Sequence, residues 1–155
     1  NMAEDFTYSG TIAAAMEATL FKVRAIAMSQ VCRHGEPVQW ATAETFGPDI
    51  VKRLCRMRWS DDTLMNVNYP DCPPHEVRGV RVTAQGKRKL GDDLVERLDP
   101  RGEPYVWIGA LREDSQRGEG TDLAAIHDRY VSVTPIHMDM THRPSFAQLA
   151  NALED

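Results

Sequence analysis

The segment Tyr8-Ser9-Gly10-Thr11, followed by the small apolar run at 12–16, constrains the fold of this chain more than any other stretch. Ser9 supplies a hydroxyl that can cap a helix, and Gly10 lets another group approach the backbone closely. Thr11 adds a second hydroxyl beside the free N–H groups of the first turn, where the helix dipole favours negative charge. The sequence therefore predicts a helix whose start can bind an anion such as phosphate. The open alternative is an ordinary capped helix.

This helix is predicted to be the crossover of a βαβ-like unit. Its apolar positions recur with helical spacing and give one buried face, formed by Ile12, Ala15, Met16, Thr19 and Leu20. Residues 25–28 then indicate a strand buried on both faces, as in a parallel sheet. Because an anion-binding turn of this kind normally follows a strand, we expect the first strand of the unit to precede residue 1. The predicted fold class is α/β.

Further helices and strands alternate along the chain. Residues 43–57 have helical periodicity with Pro48 inside it, which predicts one kinked helix or two helices. Strands are predicted at 64–69, 77–83 and 130–134, with short helices at about 121–127 and from Pro144 onward. In the first of these strands Asn66 and Asn68 share a face, so they need hydrogen-bond partners if that face is buried.

A hairpin is predicted around the turn Asp99-Pro100-Arg101-Gly102, because Pro favours the second and Gly the fourth position of such a turn. Its second arm, Tyr105-Val106-Trp107-Ile108, is apolar on both faces. The terminal helix also has an apolar stripe, formed by Phe146, Leu149, Ala150 and Leu153. Aromatic surface on a projecting arm usually contacts another subunit or a neighbouring domain, and of these we expect self-association.

Charge and cysteine content exclude several classes of protein. A net charge of −5 argues against a nucleic-acid polymer as partner, and the cluster Arg78, Arg81, Lys87, Arg88 and Lys89 is interpreted as a solvated hairpin surface. Three cysteines without CxxC spacing indicate neither a zinc site nor a disulfide framework, which favours a cytoplasmic location. No apolar run is long enough to span a bilayer, so we expect no membrane partner.

Other catalytic constellations receive little support. A GxSxG turn, a GxxxxGK[ST] loop and a GxGxxG loop are all missing from the sequence. His137, Asp139 and His142 are a candidate metal site, since the first two share a strand face. No fourth ligand is suggested, and a structural role for a His–Asp pair at a strand end is the favoured alternative.

Several short motifs, taken in their order and spacing, resemble the SurE family of metal-dependent 5′/3′-nucleotidases, also called survival proteins or acid phosphatases. They are Asn1 with Tyr8-Ser9-Gly10-Thr11 and Ala14-Ala15-Met16-Glu17, Asn66-Val67-Asn68-Tyr69-Pro70, Gly79-Val80-Arg81-Val82-Thr83, Asp99-Pro100-Arg101-Gly102, Tyr105-Val106-Trp107-Ile108, Gly120-Thr121-Asp122 and Val131-Ser132-Val133-Thr134-Pro135. The resemblance covers nearly the whole chain. Ala3, where a glycine is frequent, and Ala84, where a basic residue is frequent, depart from the family pattern.

The resemblance implies a Rossmann-like α/β fold, here a single domain over 1–155 that is incomplete at its N-terminus, with a projecting β-hairpin and a C-terminal helix. It implies hydrolysis of nucleoside 5′/3′-monophosphates with Mg²⁺ or Mn²⁺. The family's metal ligands belong to an Asn-Asp-Asp-Gly motif, a serine and the first Asn of a later run, and are expected upstream of residue 1. No metal ligand and no catalytic residue is therefore assigned here, and residues 1–155 alone are expected to be inactive.

The phosphate-binding side of the family's site carries over to Asn1, Ser9, Gly10 and Thr11. Amide, hydroxyl and helix N–H donors suit a phosphate, in agreement with the prediction from the residues themselves. A homodimer or homotetramer is implied as well. The alternative function is a non-catalytic module that oligomerises or binds phosphate.

Overall fold

The computed structural model describes residues 1–33, 35–90, 94–108, 112–116 and 118–154. The α-helices are α1 Gly10–Leu20, α2 Trp40–Arg56, α3 Asp122–His127 and α4 Phe146–Leu153. The strands are β1 Ile26–Gln30, β2 Thr63–Tyr69, β3 Gly79–Val82, β4 Lys87–Leu90, β5 Leu94–Leu98, β6 Pro104–Ile108, β7 Arg112–Gln116 and β8 Tyr130–His137. Short 3₁₀ turns cover Ala3–Tyr8, Pro74–Glu76 and Arg143–Ser145. These elements confirm the α/β fold class.

A four-stranded sheet in the order β1-β2-β8-β3 forms the centre of the molecule. β1 runs parallel to β2 and β3 runs parallel to β8, but β8 is antiparallel to β2. The sheet is therefore mixed, where the buried strand pattern predicted a parallel one. Two separate two-stranded ribbons, β4 with β7 and β5 with β6, project from the connections between β3 and α3.

Helices cover both faces of this sheet. On one face α1 packs over a cluster formed by Ile12, Ala15, Ala25, Ala27, Leu64 and Ile136. On the other, α2 packs over a cluster formed by Ile50, Leu54, Met65, Val67, Tyr69, Val131 and Val133. Successive residues of β2 alternate between the two faces, because strand side chains point to opposite faces in turn.

The predicted buried face of α1 is confirmed for Ile12, Ala15 and Thr19 but is wrong for Leu20, which is 62% exposed. In the last turn of α1, Thr19 is the buried residue of the face that packs on the sheet. Its hydroxyl donates to the Ala15 carbonyl at 2.8 Å. Leu20 lies at the margin of the face, on the residue where the helix ends. The hydroxyl can be buried there because its hydrogen bond is satisfied within the helix.

β1 is buried on both faces only in part. Ala27 is 2% exposed beneath α1 and Ile26 packs against the cluster beneath α2, whereas Met28 is 39% exposed. Met28 lies on the same face as Ile26, at the margin of the α2 contact. A β-carbon added to Gly47 of α2 would lie 3.1 Å from its Cε atom.

α2 is one continuous helix that includes Pro48, which decides between the two predicted alternatives. It begins at Trp40, three residues before the predicted start. Gly47, the residue before Pro48, is buried against β2, where an added β-carbon would lie 3.2 Å from the Tyr69 hydroxyl. A side chain at this position would require the ends of the Met28 and Tyr69 side chains to move by a few tenths of an ångström.

Two features outside the sheet follow the sequence predictions, namely the turn of the β5–β6 hairpin and the start of α3. In the hairpin of β5 and β6, the Gly102 N–H donates to the Asp99 carbonyl at 3.0 Å, as the predicted turn requires, and Gly102 has φ +89°. Thr121 caps α3, where its hydroxyl accepts from the Ala124 N–H. Within the described residues, every helix is too short or too polar to cross a membrane.

Replacing Tyr69 by Phe is expected to stabilise the fold slightly at neutral pH, by up to about 1 kcal/mol, since the buried Tyr69 hydroxyl has no hydrogen-bond partner among the described residues. Burial raises the pKa of Tyr69 to about 12. The ionised form is disfavoured in the folded state, so the protein keeps its full stability below pH 10 and loses stability as pH rises from 10 through 12.

Urea unfolding at about pH 7, 9 and 11 measures both effects, since these values bracket the ordinary tyrosine pKa. The Tyr69→Phe variant is expected to lack this alkaline loss of stability, and Tyr8→Phe is the matched control because Tyr8 is 79% exposed. Parallel pH profiles for the wild type and the Tyr69→Phe variant would contradict the assignment.

Candidate functional site

The start of α1 has the predicted geometry. Ser9 is the N-cap with φ −86° and ψ 121°, and its Oγ accepts a hydrogen bond from the Ile12 N–H at 3.1 Å. The next N–H, that of Ala13, donates to the Ser9 carbonyl at 2.9 Å. Among the described residues, nothing accepts from the N–H groups of Gly10 and Thr11, and Gly10 has no atom within 4 Å of an added β-carbon. The helix start thus presents open donors and is accessible from outside.

Asn1 lies at the carboxyl ends of two neighbouring parallel strands. Its backbone carbonyl accepts from Asn66 Nδ2 at 2.8 Å and from Asn68 Nδ2 at 3.4 Å, and its backbone nitrogen donates to Asn68 Oδ1 at 3.1 Å. The Asn1 side chain donates to the Ser29 hydroxyl of β1. Ser29 and Asn68 are register partners, so Asn1 bridges the ends of β1 and β2.

The sheet and helix directions bring the four predicted residues to the same end of the fold. α1 ends at Leu20 and β1 starts at Ile26, so this short connection makes helix and strand antiparallel to each other. Ser9, Gly10 and Thr11 therefore lie toward the carboxyl end of β1, where Asn1 is bound. In open α/β sheets this is the edge at which ligands bind. Of the four residues, Asn1 contacts the strands directly, and the Ala3–Tyr8 turn joins it to Ser9.

A buried polar stripe, defined as Asn66, Asn68, Ser132, Thr134 and Thr83, runs across the sheet beneath Asn1. Asn66 pairs with Thr134 and Asn68 with Ser132 in the register of β2 and β8. The Thr83 hydroxyl lies 2.8 Å from that of Ser132 and 2.7 Å from that of Thr134. Neutral amides and hydroxyls satisfy one another here, which gives the site rigid, uncharged hydrogen-bonding groups.

Sequence reasoning found only part of this stripe. It identified Asn66 and Asn68 as residues that need partners, but it did not assign Ser132, Thr134 or Thr83. The signal was the alternation of Ser132 and Thr134 with valines in β8, which places two polar side chains on one strand face. Their apposition to the asparagines depends on the antiparallel register, which the sequence alone does not fix.

Asp122 is a second residue whose role was missed, since the sequence analysis placed it in a predicted short helix and in one of the SurE-like motifs without assigning it a role. It is 1% exposed and accepts three backbone hydrogen bonds, each of 2.8 Å: Oδ2 from Ala3 and Oδ1 from Gly86 and Leu123. Ala3 has φ +48°, a conformation that non-glycine residues rarely adopt. Asp122 therefore holds the strained turn that positions Asn1.

Arg88 also stabilises the Ala3–Tyr8 turn, through contacts with Glu4 and Asp5. The Arg88 guanidinium lies 2.9 Å from the Asp5 carboxylate, and both side chains are largely buried, at 12% and 15% exposed. The Arg88 N–H donates to Glu4 at 2.7 Å. The interpretation of the basic cluster as a solvated surface is therefore wrong for Arg88, because tertiary contact with the first turn buries it.

Of the candidate metal residues, Asp139 accepts hydrogen bonds from the Thr141 N–H at 3.0 Å and from the Arg143 guanidinium, and these two partners hold the pKa of Asp139 well below its ordinary value. His137 Nδ1 accepts from the Asp139 N–H, and His142 contacts the Ser145 hydroxyl. Within the described residues, no three His, Cys, Asp or Glu side chains converge on one point. These contacts fit the structural alternative.

Comparison with known proteins matches this chain to a family. The family model described as "Survival protein SurE" matches residues 1–92. The chain is similar to the "5′-nucleotidase SurE" of Paramagnetospirillum magneticum, with 49% identity over 152 residues, covering 98% of this chain and 58% of that protein. It is similar to the "5′-nucleotidase SurE" of Rhodospirillum rubrum, with 46% identity over 157 residues, covering 98% and 59%.

Solved structures agree with this match. The SurE protein from Aquifex aeolicus, known from a crystal structure, superposes with a TM-score of 0.80 at 36% identity, covering 98% of this chain and 60% of that chain. The chain thus spans about three fifths of the length of the relatives that it matches.

Replacing Asp122 by Ala is expected to lower the free energy of unfolding by about 3–5 kcal/mol, because it leaves three buried N–H groups without an acceptor. Urea denaturation measures this loss. The matched control is Asp49→Ala, which removes an exposed ion pair with Arg53 and is expected to change stability by less than about 0.5 kcal/mol. Similar stability of the two variants would refute the anchoring role of Asp122.

Proposed function

Because this chain belongs to the SurE family, we propose that in the complete protein it takes part in the hydrolysis of nucleoside 5′- and 3′-monophosphates. Residues 1–155 contribute the phosphate-binding side of the site. The names of the relatives give the 5′-nucleotidase class, and the 3′ activity and the division of labour within the chain are part of the proposal.

One observation carries the proposal: two sets of neutral hydrogen-bond donors lie at the same end of the sheet. The first is the open start of α1, with the N–H groups of Gly10 and Thr11 and the hydroxyls of Ser9 and Thr11. The second is Asn1, which Ser29 and Asn68 fix in place. A phosphate between them would accept hydrogen bonds while the positive end of the helix dipole balances its charge.

Ser9 can act as cap and ligand at once. Its Oγ accepts from the Ile12 N–H, which leaves the hydroxyl hydrogen available to donate to a phosphate oxygen. Thr11 is exposed in the first turn and has no capping bond to maintain. These donors are positioned before substrate binds, so they can stabilise the charge that develops on the phosphoryl oxygens during transfer.

The described residues do not fit the divalent metal, Mg²⁺ or Mn²⁺, that the family resemblance implies, since no three His, Cys, Asp or Glu side chains converge among them. We propose that the ligands of this metal lie outside the described residues. The residues that are present bind and orient the phosphate. We also propose a cytoplasmic location, in keeping with the free thiols of Cys32, Cys55 and Cys72.

A non-catalytic module that oligomerises or binds phosphate is the alternative function. The observation in its favour is the apolar surface of the β5–β6 hairpin, where Trp107 is 61% and Val106 53% exposed, and of α4, where Leu153 is 78% exposed. We propose that these surfaces mediate assembly into a homodimer or homotetramer. Because an enzyme can also assemble into oligomers, self-association does not distinguish the two functions. Measurements of nucleotide hydrolysis decide between the nucleotidase and the non-catalytic module.

Replacing Thr11 by Ala in the complete protein is expected to lower kcat/KM for nucleoside monophosphates roughly ten- to a hundredfold, since a hydrogen bond to a charged group contributes about 1.5–3 kcal/mol. Stability should change little, because Thr11 makes no capping bond. Replacing Ser9 by Ala should reduce activity similarly and also lower stability by about 1 kcal/mol through the lost cap.

Initial rates and thermal melting on both variants test this prediction. Thr7→Ala is the matched control, because Thr7 lies nearby with its hydroxyl bonded to the Glu4 carbonyl. If both variants turned over substrate normally, the helix start would be an ordinary cap and the phosphate-binding assignment would fail.

Replacing Trp107 by Ala is expected to weaken self-association by about 2 kcal/mol, or roughly 30-fold, because exposed aromatic anchors dominate interface energies. Trp107 pairs with Val95 beside the Arg97–Tyr105 pair, and these side chains line a groove of about 290 Å³ on the hairpin. Light scattering across a dilution series measures the effect, with Val82→Ala, at an 80% exposed apolar residue elsewhere, as control. An unchanged mass for the Trp107 variant at every concentration would exclude the hairpin as the interface.

A further inference from the structure

A cavity of about 490 Å³ opens at the same end of the sheet as Asn1. Its walls come from three connections: the segment after β1, the segment after β2 and the turn between α3 and β8. β8 is antiparallel to β2, so its first residues lie at the same end of the sheet as the carboxyl ends of β1 and β2. The volume lies within the range of about 300–1,000 Å³ that is typical of small-molecule sites.

The cavity adjoins the candidate phosphate-binding residues through a shared apolar wall. Val31 and Ile126 line it, and both pack against the cluster of Met2, Ala3 and Leu123. Met2 follows Asn1 directly in the chain. A ligand with its phosphate at Asn1 can therefore extend its remaining part over Val31 into the cavity.

The charge of the cavity selects against a phosphate and favours a neutral polar group. Its lining contains three carboxylates, of Glu36, Asp71 and Glu76, two guanidinium groups, of Arg33 and Arg129, and the imidazole of His127, so carboxylates outnumber guanidinium groups by one. An excess of negative charge repels an anion. Donor-rich neutral groups, such as sugar hydroxyls and the amino groups of a nucleobase, suit carboxylate acceptors.

Asp71 is the carboxylate best placed to accept from a ligand. Its side chain is 17% exposed and pairs with Arg33 through Oδ2 at 3.4 Å, longer than the roughly 2.7–2.9 Å typical of a strong charge-assisted bond. Among the described residues, none donates to Oδ1. Glu76, in contrast, is held by Arg129 at 2.8 Å. Asp71 follows β2 closely, and a carboxylate near the end of a parallel strand is the group that binds ribose hydroxyls in dinucleotide-binding folds.

We propose that this cavity binds the nucleoside part of the substrate, with the Asp71 carboxylate accepting hydrogen bonds from the ribose hydroxyls. This inference rests on the proposed function and adds to it the residue that distinguishes a nucleotide from other phosphate monoesters. The phosphate stays at Asn1 and the start of α1, and the base lies against the apolar wall of Val31 and Ile126.

Steady-state kinetics of Asp71→Asn in the complete protein test the proposal. The expected result is a loss of roughly tenfold in kcat/KM for ribonucleoside 5′-monophosphates, with hydrolysis of p-nitrophenyl phosphate changed by less than about twofold. The wild type should prefer ribonucleotides to 2′-deoxyribonucleotides, and the variant should lose this preference. A purely structural role of Asp71 would not change the preference.

Two further variants separate the carboxylate from its ion pair. Arg33→Ala removes the partner but keeps the acceptor, so it should retain the preference for ribonucleotides. Asp49→Asn, on the exposed face of α2, controls for the loss of one charge. The proposal is overturned if Asp71→Asn reduces both substrate classes equally, or if Arg33→Ala reproduces its effect.

Failure of the proposed function gives a different result. If the complete wild-type protein hydrolyses no phosphate monoester, the nucleotidase proposal fails, and calorimetric titration with adenosine, guanosine, cytidine and uridine tests the cavity by itself. Binding that Asp71→Asn weakens supports the cavity assignment. Equal affinity in the two proteins, or no binding to either, overturns it.

Discussion

The carboxylate of Asp122 joins three parts of the chain that are distant in sequence. It accepts N–H groups from Ala3, from Gly86 after β3 and from Leu123 at the start of α3. A buried carboxylate requires such donors, since water cannot solvate it. Any residue larger than glycine at position 86 would displace this carboxylate, because a β-carbon there would lie 2.7 Å from Asp122 Oδ1. The turn with the strained Ala3, the hydrogen bonds of Asn1 and the path of the chain into α1 all depend on this contact.

A second constraint is the antiparallel register of β2 and β8. It sets Asn66 opposite Thr134 and Asn68 opposite Ser132, so that each buried polar group has a neighbour within reach. A register shifted by one residue would place the valines of β8 on this face. Asn66 and Asn68 would then lie against apolar side chains instead of hydroxyl groups. The polar stripe is less favourable to bury than an apolar core, but it supplies fixed amides and hydroxyls beneath Asn1.

The sequence predicted what depends on local patterns. The start of α1 at Ser9, the buried positions Ile12 and Ala15 and the face shared by Asn66 and Asn68 follow from capping chemistry and periodicity. Contacts between segments that are distant in sequence could not be predicted from these local patterns. The burial of Arg88 against Asp5, the three bonds of Asp122 and the exposure of Leu20 depend on which segments meet, and no short-range signal specifies that.

The start of α1 and the neighbouring cavity, the two halves of the candidate site, differ in charge. At the start of α1 the donors are neutral and the helix dipole is positive, which suits a phosphate dianion. The cavity beside it has more carboxylates than guanidinium groups, so a phosphate there would meet repulsion. In the proposed function, electrostatics would therefore orient the nucleotide with its phosphate toward α1, before any hydrogen bond to the sugar or base forms. Val31 and Ile126 of the cavity pack against Met2 and Ala3, which follow Asn1 in the chain. This apolar contact keeps the cavity next to the candidate phosphate-binding residues. The strained conformation of Ala3 therefore affects the position of both.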